Sequence, residues 1–475
     1  MPSLTDLIAT IVKIAVMVGF LFNVGGLLTW VDRRLSSMIQ DRIGPNRAGF
    51  KIGGFNFRIL GLLHTAADGL KFFTKKDFMP PKADKLLFSL APMLAMIPVL
   101  ALAAVIPMGD TLSLGDIHRT ICVENGVGIA RADDLGNCAK GIATGVWPAA
   151  LRLGVNSNKG LIDLTIAPLN VGVLYVFAMA GQGIVGAAIA GWSSDNKFSL
   201  MGALRAASQM VSYEVAMGLT LIGAMMVYGT VRLDDMVRWQ GENTWGIFVQ
   251  PVAFILFFVA AVAESKRIPF DLPEAESELV SGYFTEYSGM KFGMFYFAEY
   301  MEVVTSSMLL VTIFLGGWQL PFLHRDGLTI AIGELTLAQS KVPHIWAVIF
   351  GVVAFFGKTL AVCLFQAFVR WSLPRFRYDQ LMRLGWKVLL PASLANILVT
   401  GVLWLAIDKA GPSANGAVRL FYDLSQGVVF LVLNGLLVWA VVGFFGPTKH
   451  PRFIVGSSAE QADRKGGTAT TPMQA

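Results

Sequence analysis

Glu264-Ser-Lys-Arg-Ile-Pro-Phe-Asp-Leu-Pro-Glu-Ala-Glu-Ser-Glu-Leu-Val-Ser-Gly-Tyr283 crowds Asp271, Glu274, Glu276 and Glu278 together and stands between two long apolar runs. A charged segment so placed marks a membrane boundary. Carboxylates packed beside a low-dielectric region cannot all ionise cheaply, so their protonation is interdependent. Such a cluster points to a protein that handles protons or senses a change of charge nearby.

The rest of the chain agrees with a membrane setting. Of 475 residues, 55% are hydrophobic and only 15% charged, with a mean hydropathy of +0.60. Soluble domains average about 25% charged residues. Apolar stretches near the roughly 20 residues that cross a bilayer recur along the chain. They predict an all-α, polytopic transmembrane helical bundle of about nine spans, at about 5–30, 86–107, 166–191, 205–228, 246–264, 299–319, 344–369, 387–407 and 424–446. The first run follows Asp6 and contains Lys13, so it reads as a retained helix and not a cleaved signal.

The pI near 9.1 invites a nucleic-acid reading. Charge placement argues against it. The connections after spans 1, 3, 5 and 7, with the tail, carry more than twice the Lys and Arg of the other connections. By the positive-inside rule the N-terminus lies outside and the C-terminus in the cytoplasm. Residues 1–453 are read as one membrane domain. Within it, 31–85 is a cytoplasmic loop with an amphipathic helix, 108–165 an exterior loop and 265–298 an acidic cytoplasmic loop. Residues 454–475 form a Gly/Ser/Thr/Ala-rich tail expected to be disordered. No internal repeat supports an inverted-repeat transporter.

Cysteine is sparse. Cys122 and Cys138 fall in the exterior loop and Cys363 in span 7, with no Cys-x-x-Cys. That offers no ligand set for zinc or an iron–sulfur cluster, so no metal site is expected. Cys122 and Cys138 are candidates for a disulfide on an oxidising face; two unpaired thiols are the alternative.

In the first connection, Leu60, Leu63, Ala67 and Leu70 recur at helical spacing, as do His64, Asp68 and Lys71. That pattern predicts an amphipathic helix over 59–73 lying on the membrane surface. Gly181-Gln-Gly183-Ile-Val-Gly186 matches G-x-G-x-x-G but lies inside a span without a preceding strand. The dinucleotide reading needs that strand, so these glycines are read as close helix packing.

Glu214 is the sharpest single residue, about ten residues into span 4. A carboxylate at that depth must be protonated, paired or hydrated. Arg205 stands nine positions earlier, on roughly the opposite helix face and about 13 Å away along the axis. A partner for Glu214 must come from another helix or from water. A proton site and a neutral, hydrogen-bonded structural glutamate both fit. Glu264 closes span 5, and Glu299 and Glu302, three apart, open span 6 on one face. With Glu214 and the acidic loop they suggest a polar file entering from the cytoplasm; alone, each could be an interfacial carboxylate facing solvent. In a helix Glu274 and Glu278 share a face; extended, all three glutamates share a side. Arg33, Arg34, Arg42 and Arg47 are the obvious counterweights to the acidic loop. Lys13 can snorkel at an exterior end. Lys358 is deeper and reads as either a proton relay or a counter-ion.

These motifs resemble a family. Arg42-Ile-Gly-Pro-Asn46, Ala66-Ala-Asp68-Gly-Leu-Lys71, Gly202-Ala-Leu-Arg205 through Ser212-Tyr-Glu214, Glu264 through Tyr287, Ala298-Glu299-Tyr300, and Leu373-Pro-Arg-Phe-Arg-Tyr-Asp-Gln380 through Gly385-Trp-Lys387 cover spans 1–8 in order. The pattern is similar to the H subunit of proton-translocating NADH–quinone oxidoreductase, respiratory complex I. The resemblance implies a subunit of a translocase in a bacterial inner membrane, with quinone as a substrate bound at an interface. FMN and iron–sulfur clusters would sit on other subunits and no catalytic residue on this chain alone. Its implied partners are the peripheral-arm subunits of the quinone site, other membrane-arm subunits and the lipid bilayer. It assigns Arg42, Asp68, Arg267, Asp271, Glu274, Glu276 and Glu278 to a quinone chamber, and Asp32, Arg205, Glu214, Glu264, Glu286 and Glu299 to a proton path.

Two departures stand out. Family members usually have Glu-Arg-Lys where this chain has Asp32-Arg33-Arg34. The family core has eight spans, so 424–446 is an extra C-terminal one. The nearest alternative is the equivalent subunit of a membrane-bound hydrogenase or formate hydrogenlyase complex; the Arg42 and Asp271–Glu278 motifs favour the quinone enzyme. A free-standing ion carrier predicts activity from this polypeptide alone, and a structural anchor leaves Glu214 unexplained.

Overall fold

The computed structural model of the chain describes residues 4–52, 55–57, 60–113, 161–242, 244–273, 280–321, 323–324, 327–332, 335–341 and 343–409. Apolar runs fold as helices that break at Gly, Pro and polar clusters. In order they are α1 (Leu4–Ile39), α2 (Leu63–Thr74), α3 (Lys85–Ala103), α4 (Gly172–Ser193), α5 (Lys197–Tyr228), α6 (Leu233–Glu242), α7 (Gly246–Val249), α8 (Pro251–Glu264), α9 (Gly289–Phe314), α10 (His344–Ser372), α11 (Tyr378–Leu384) and α12 (Leu390–Lys409). A π-helical turn, Gly385–Leu389, joins the last two.

Among the described residues, seven helical stretches are long and apolar enough to cross a membrane. The expected fifth span differs. Gln250 leaves helical geometry and Pro251 starts a new helix, so 246–264 is split into α7 and the 14-residue α8. At 1.5 Å per residue α8 is about 21 Å long. The sixth span begins earlier than expected. α9 starts at Gly289, whose φ of +56° permits the sharp entry, so Glu299 and Glu302 lie about three turns inside the helix and do not open it. The amphipathic helix α2 starts at Leu63. The extra span 424–446, the tail 454–475, Cys122 and Cys138 lie outside the described residues.

Local chemistry sets the ends. Asp84 caps α3 by accepting from the Leu86 and Leu87 amides, and Asn196 caps α5 by accepting from Phe198 N. Small antiparallel ladders join Phe50–Ile52 to Phe55–Phe57, Leu112–Ser113 to Leu161–Ile162, and Leu323–His324 through Gly327–Ile332 to Leu335–Lys341. The purely helical expectation omitted these. The alternation Leu328-Thr-Ile330-Ala-Ile332 carries a strand period inside a connection too short and polar to span.

α9 is the most enclosed span, with 83% of its apolar window buried against 17% for α1. It packs on α3, α10 and α1, while α5 packs on α4, α8 and α12. Tyr213, Phe257, Phe295, Phe314 and Phe355 fill the space between them. The G-x-G-x-x-G stretch is helix packing: a Cβ on Gly186 would stand 2.8 Å from Ala95 N of α3.

Both intramembrane lysines act on backbone. Lys13 Nζ donates to the carbonyls of Asp163 and Thr165, each at 2.9 Å. Lys358 Nζ donates to Leu315 O (2.8 Å), Gly317 O (3.1 Å) and Gln319 O (2.6 Å), and lies 4.4 Å from the Trp245 ring centroid. All three ammonium hydrogens are engaged. Lys358 therefore serves as a cation at the C-terminus of α9, where the dipole and unpaired carbonyls favour one. Its three partners are backbone carbonyls, none of which exchanges a proton, so the geometry favours the cation reading over the relay.

Candidate functional site

Two of the residues singled out from sequence, Asp32 and Arg267, meet where α1, α9, α10 and the 265–273 segment come together. Asp32, near the end of α1, is buried. Its Oδ2 accepts from Arg267 Nη1 at 3.2 Å and from Tyr300 OH at 2.8 Å. Arg370, in the last turn of α10, donates to the same oxygen through Nη1. The Arg267 guanidinium also stacks 3.4 Å from the Tyr300 ring centroid, and the Tyr300 and Tyr296 hydroxyls lie 3.2 Å apart. One carboxylate thus meets two guanidiniums, the buried Arg267 and the partly exposed Arg370, and the group keeps a net positive charge. Removing the acid would strand Arg267 as a buried cation beside a second one. The Nε atoms of Arg267 and Arg370 are buried with no hydrogen-bond partner among the described residues.

A second cluster begins one residue earlier. Lys266 takes a left-handed backbone conformation, φ +55°, which a non-glycine residue holds only when its surroundings demand it. Its Nζ lies 3.4 Å from Glu302 Oε2. Burial works against the Lys266 ammonium, yet the Glu302 and Glu299 carboxylates beside it raise its pKa above the usual lysine value. Glu299 Oε1 accepts from Tyr283 OH at 3.2 Å. Glu264, Lys266, Glu299 and Glu302 line one cavity of about 40 Å³, closed on its apolar side by residues such as Met210 and Ala298. A polar cavity of that size has room for ordered water. The Glu264 carboxyl lies within electrostatic reach of Glu302, Lys266 and Glu214.

Glu214 stands on α5 facing α4. A Cβ on Gly181 would come 3.4 Å from its Oε1, so the carboxyl lies against the first glycine of G-x-G-x-x-G. Glu214 has no ion-pair or hydrogen-bond partner among the described residues. Arg205 lies apart, its guanidinium 6.0 Å from the Tyr378 ring centroid. Asp271 is buried and accepts from Arg375 Nη2 at 2.7 Å.

The remaining candidates sit further out. Asp68 pairs with Arg33 at 2.5 Å on α2 and α1, both half-exposed. Glu286 accepts from Asn196 Nδ2 at 2.7 Å. Arg42 is exposed and donates to Gln40 Oε1 at 2.6 Å, away from the two clusters. Glu274, Glu276 and Glu278 lie outside the described residues. Two ion pairs tie the described part of the loop to other elements. Arg267 of the loop goes to Asp32 in the first helix, while the loop's own Asp271 is met by Arg375 from the α10–α11 connection.

Sequence reading missed Arg370, Arg375, Tyr300 and Lys266 as site residues. Arg375 and Tyr300 stand inside motifs quoted for the resemblance, and Arg370 is a basic residue closing an apolar span. Only the fold shows that these three point back to acids more than 100 positions away.

The model of the family described as NADH dehydrogenase matches residues 11–401 of this chain. The chain belongs to the NADH dehydrogenase family. Curated relatives include an H subunit of NADH-quinone oxidoreductase from Cytophaga hutchinsonii, 40% identical over 373 residues, which are 78% of this chain and 90% of the relative. An H subunit of the same enzyme from Geobacter metallireducens is 39% identical over 400 residues, covering 84% of this chain and 98% of the relative. One from Geobacter sulfurreducens is 40% identical over 389 residues, covering 82% and 94%. The matched NADH dehydrogenase region contains both charge clusters and Glu214, and ends within α12.

Proposed function

We propose that this chain is the membrane-arm subunit of an NADH–quinone oxidoreductase that helps form the quinone chamber and couples quinone reduction to proton translocation. It acts in a bacterial inner membrane, its N-terminus outside, beside peripheral-arm quinone-site subunits and other membrane-arm subunits. Quinone is the substrate at that interface, and FMN and the iron–sulfur clusters belong to other subunits. Asp271, Arg267, Asp68, Arg42, Glu274, Glu276 and Glu278 are assigned to the chamber. Asp32, Arg205, Glu264, Glu286, Glu299 and Glu214 carry the charge change inward.

One observation carries this reading. Lys266 and Arg267 are consecutive, yet Lys266 reaches Glu302 and Arg267 reaches Asp32. A displacement of this segment alters both clusters at once. Two electrons delivered to a quinone add negative charge that draws protons or cationic side chains toward it. A shift of Arg267 toward that charge moves Lys266 against Glu302, Glu299 and Glu264, changing which of these acids holds a proton. Glu214 lies next along the file. The test is Glu264→Gln in the assembled enzyme, reading quinone reduction and proton translocation together. Translocation falling while the enzyme still assembles is the expected result; full coupled activity removes the reading.

A further inference from the structure

Gln209 lies on α5, one turn before Tyr213 and five residues before Glu214, and is fully buried. Its amide nitrogen donates to two carbonyls of the 263–270 segment, Ala263 O and Phe270 O, both at 2.7 Å. Two acceptors on one nitrogen fix the amide orientation, because the flipped amide would place its oxygen against both carbonyls. Gln209 Oε1 consequently points elsewhere and has no partner among the described residues.

The two carbonyls bracket the working segment. Ala263 precedes Glu264, and Phe270 precedes Asp271. Between them stand Lys266 and Arg267, which reach the two charge clusters. Tyr213 shares the Gln209 face of α5, with its ring centroid 5.9 Å from that of Phe270 and its hydroxyl donating to Leu381 O at 2.9 Å. The end of the segment is thus held at Phe270 by backbone and ring together, both from the helix that carries Glu214.

We propose that Gln209 is a positioning residue for quinone reduction: its amide clamps the two ends of the 263–270 segment to α5, setting Glu264 and Asp271 relative to Glu214. The inference rests on the quinone-chamber reading above. A two-point clamp transmits displacement of the segment to α5, and loss of either bond lets Asp271 move without Glu264.

The test uses the assembled enzyme in native membranes, with NADH oxidation by a water-soluble acceptor as the measure of intact assembly. Gln209→Met removes both donors at similar volume. Its quinone KM is expected to rise about tenfold while the water-soluble acceptor rate stays unchanged. Gln209→Glu supplies one donor only when protonated, and its carboxylate would face two carbonyl oxygens. At pH 6 its quinone KM is expected between those of wild type and Gln209→Met, and its quinone reduction is expected about tenfold lower at pH 8.5 than at pH 6, a profile that a merely structural role does not produce. An unchanged KM in Gln209→Met, or a wild-type pH profile in Gln209→Glu, overturns the proposal. So does failure of both variants to assemble at either pH, which would make Gln209 a folding requirement alone. Full coupled activity in Glu264→Gln would sink the proton-path reading and leave the clamp standing; a normal KM in Gln209→Met beside a defective Glu264→Gln would sink the clamp alone.

Discussion

The Arg267 guanidinium stacks 3.4 Å from the Tyr300 ring centroid while both side chains donate to the same oxygen of Asp32. Face contact and shared acceptor fix the guanidinium in three dimensions, and Arg370 is a third donor to that oxygen. A planar fork suits this double role in a way an ammonium does not.

Asp32→Asn is therefore expected to be severe. It takes from the buried Arg267 and the partly exposed Arg370 the carboxylate they share, a loss on the order of 3–5 kcal/mol. Thermal unfolding of the purified complex should show a lowered midpoint and poor retention of this chain. Asp32→Glu, which keeps the carboxylate on a side chain one methylene longer, should recover most of both.

Asp271→Asn should slow quinone reduction, because Arg375 loses its charged partner and the end of the segment loosens. Steady-state kinetics in an assembled complex checks this. Turnover and quinone KM equal to wild type would take Asp271 out of the chamber.

For Glu214→Gln, the expected outcome is reduced proton translocation with assembly retained. Glutamine fits the space beside Gly181 but cannot exchange a proton. Comparing protons moved per electron in sealed vesicles decides it; an unchanged ratio counts against the proton path.

Lys358→Met removes three charge-assisted bonds to the end of α9. A drop of several kcal/mol in stability is expected, at roughly 1.5–3 kcal/mol per bond to a charged group. Protons moved per electron should be unchanged in whatever enzyme assembles, since the residue ties backbone and carries nothing. A lowered ratio in stable enzyme would restore the relay reading.

On the opposite side of the bundle, burial pushes the Asp163 carboxyl up to about 6, with Asp234 and Asp110 adding to it and Arg238 and Lys13 opposing. The folded pKa exceeds the unfolded one. Asp163 therefore contributes stability below about pH 4 that is lost as pH rises through about 6. Asp163→Asn should flatten the pH dependence of the unfolding midpoint between pH 4 and 6 and raise it above pH 6. A wild-type slope across that window would contradict the assignment.

The long spans and the acidic boundary were legible because hydropathy and charge are local properties. The break before Pro251 was less so, since Gln250 and Pro251 sit inside an otherwise apolar run and only backbone geometry shows two helices there. Lys358 illustrates the limit of reading charge by depth. Its cost in the membrane was plain, but its three carbonyl partners come from a chain reversal at Gly316 and Gly317 that no periodicity announces. The Asp32 group was half legible: the acid and Arg267 were singled out, whereas Arg370 arrives from 338 positions away.

The shortness of α8 has an electrical consequence. Its roughly 21 Å is shorter than a hydrocarbon slab about 30 Å thick. On the proposed topology, with Glu264 toward the cytoplasm, water and polar side chains reaching that carboxyl would carry the cytoplasmic potential inward, so the voltage would drop over a thinner insulating layer. A charge moved across that layer experiences a steeper gradient per ångström than one crossing beside α5 or α10. The full potential, about 2.3 kcal/mol per elementary charge per 100 mV, is then concentrated on the far side of the Glu264 cavity.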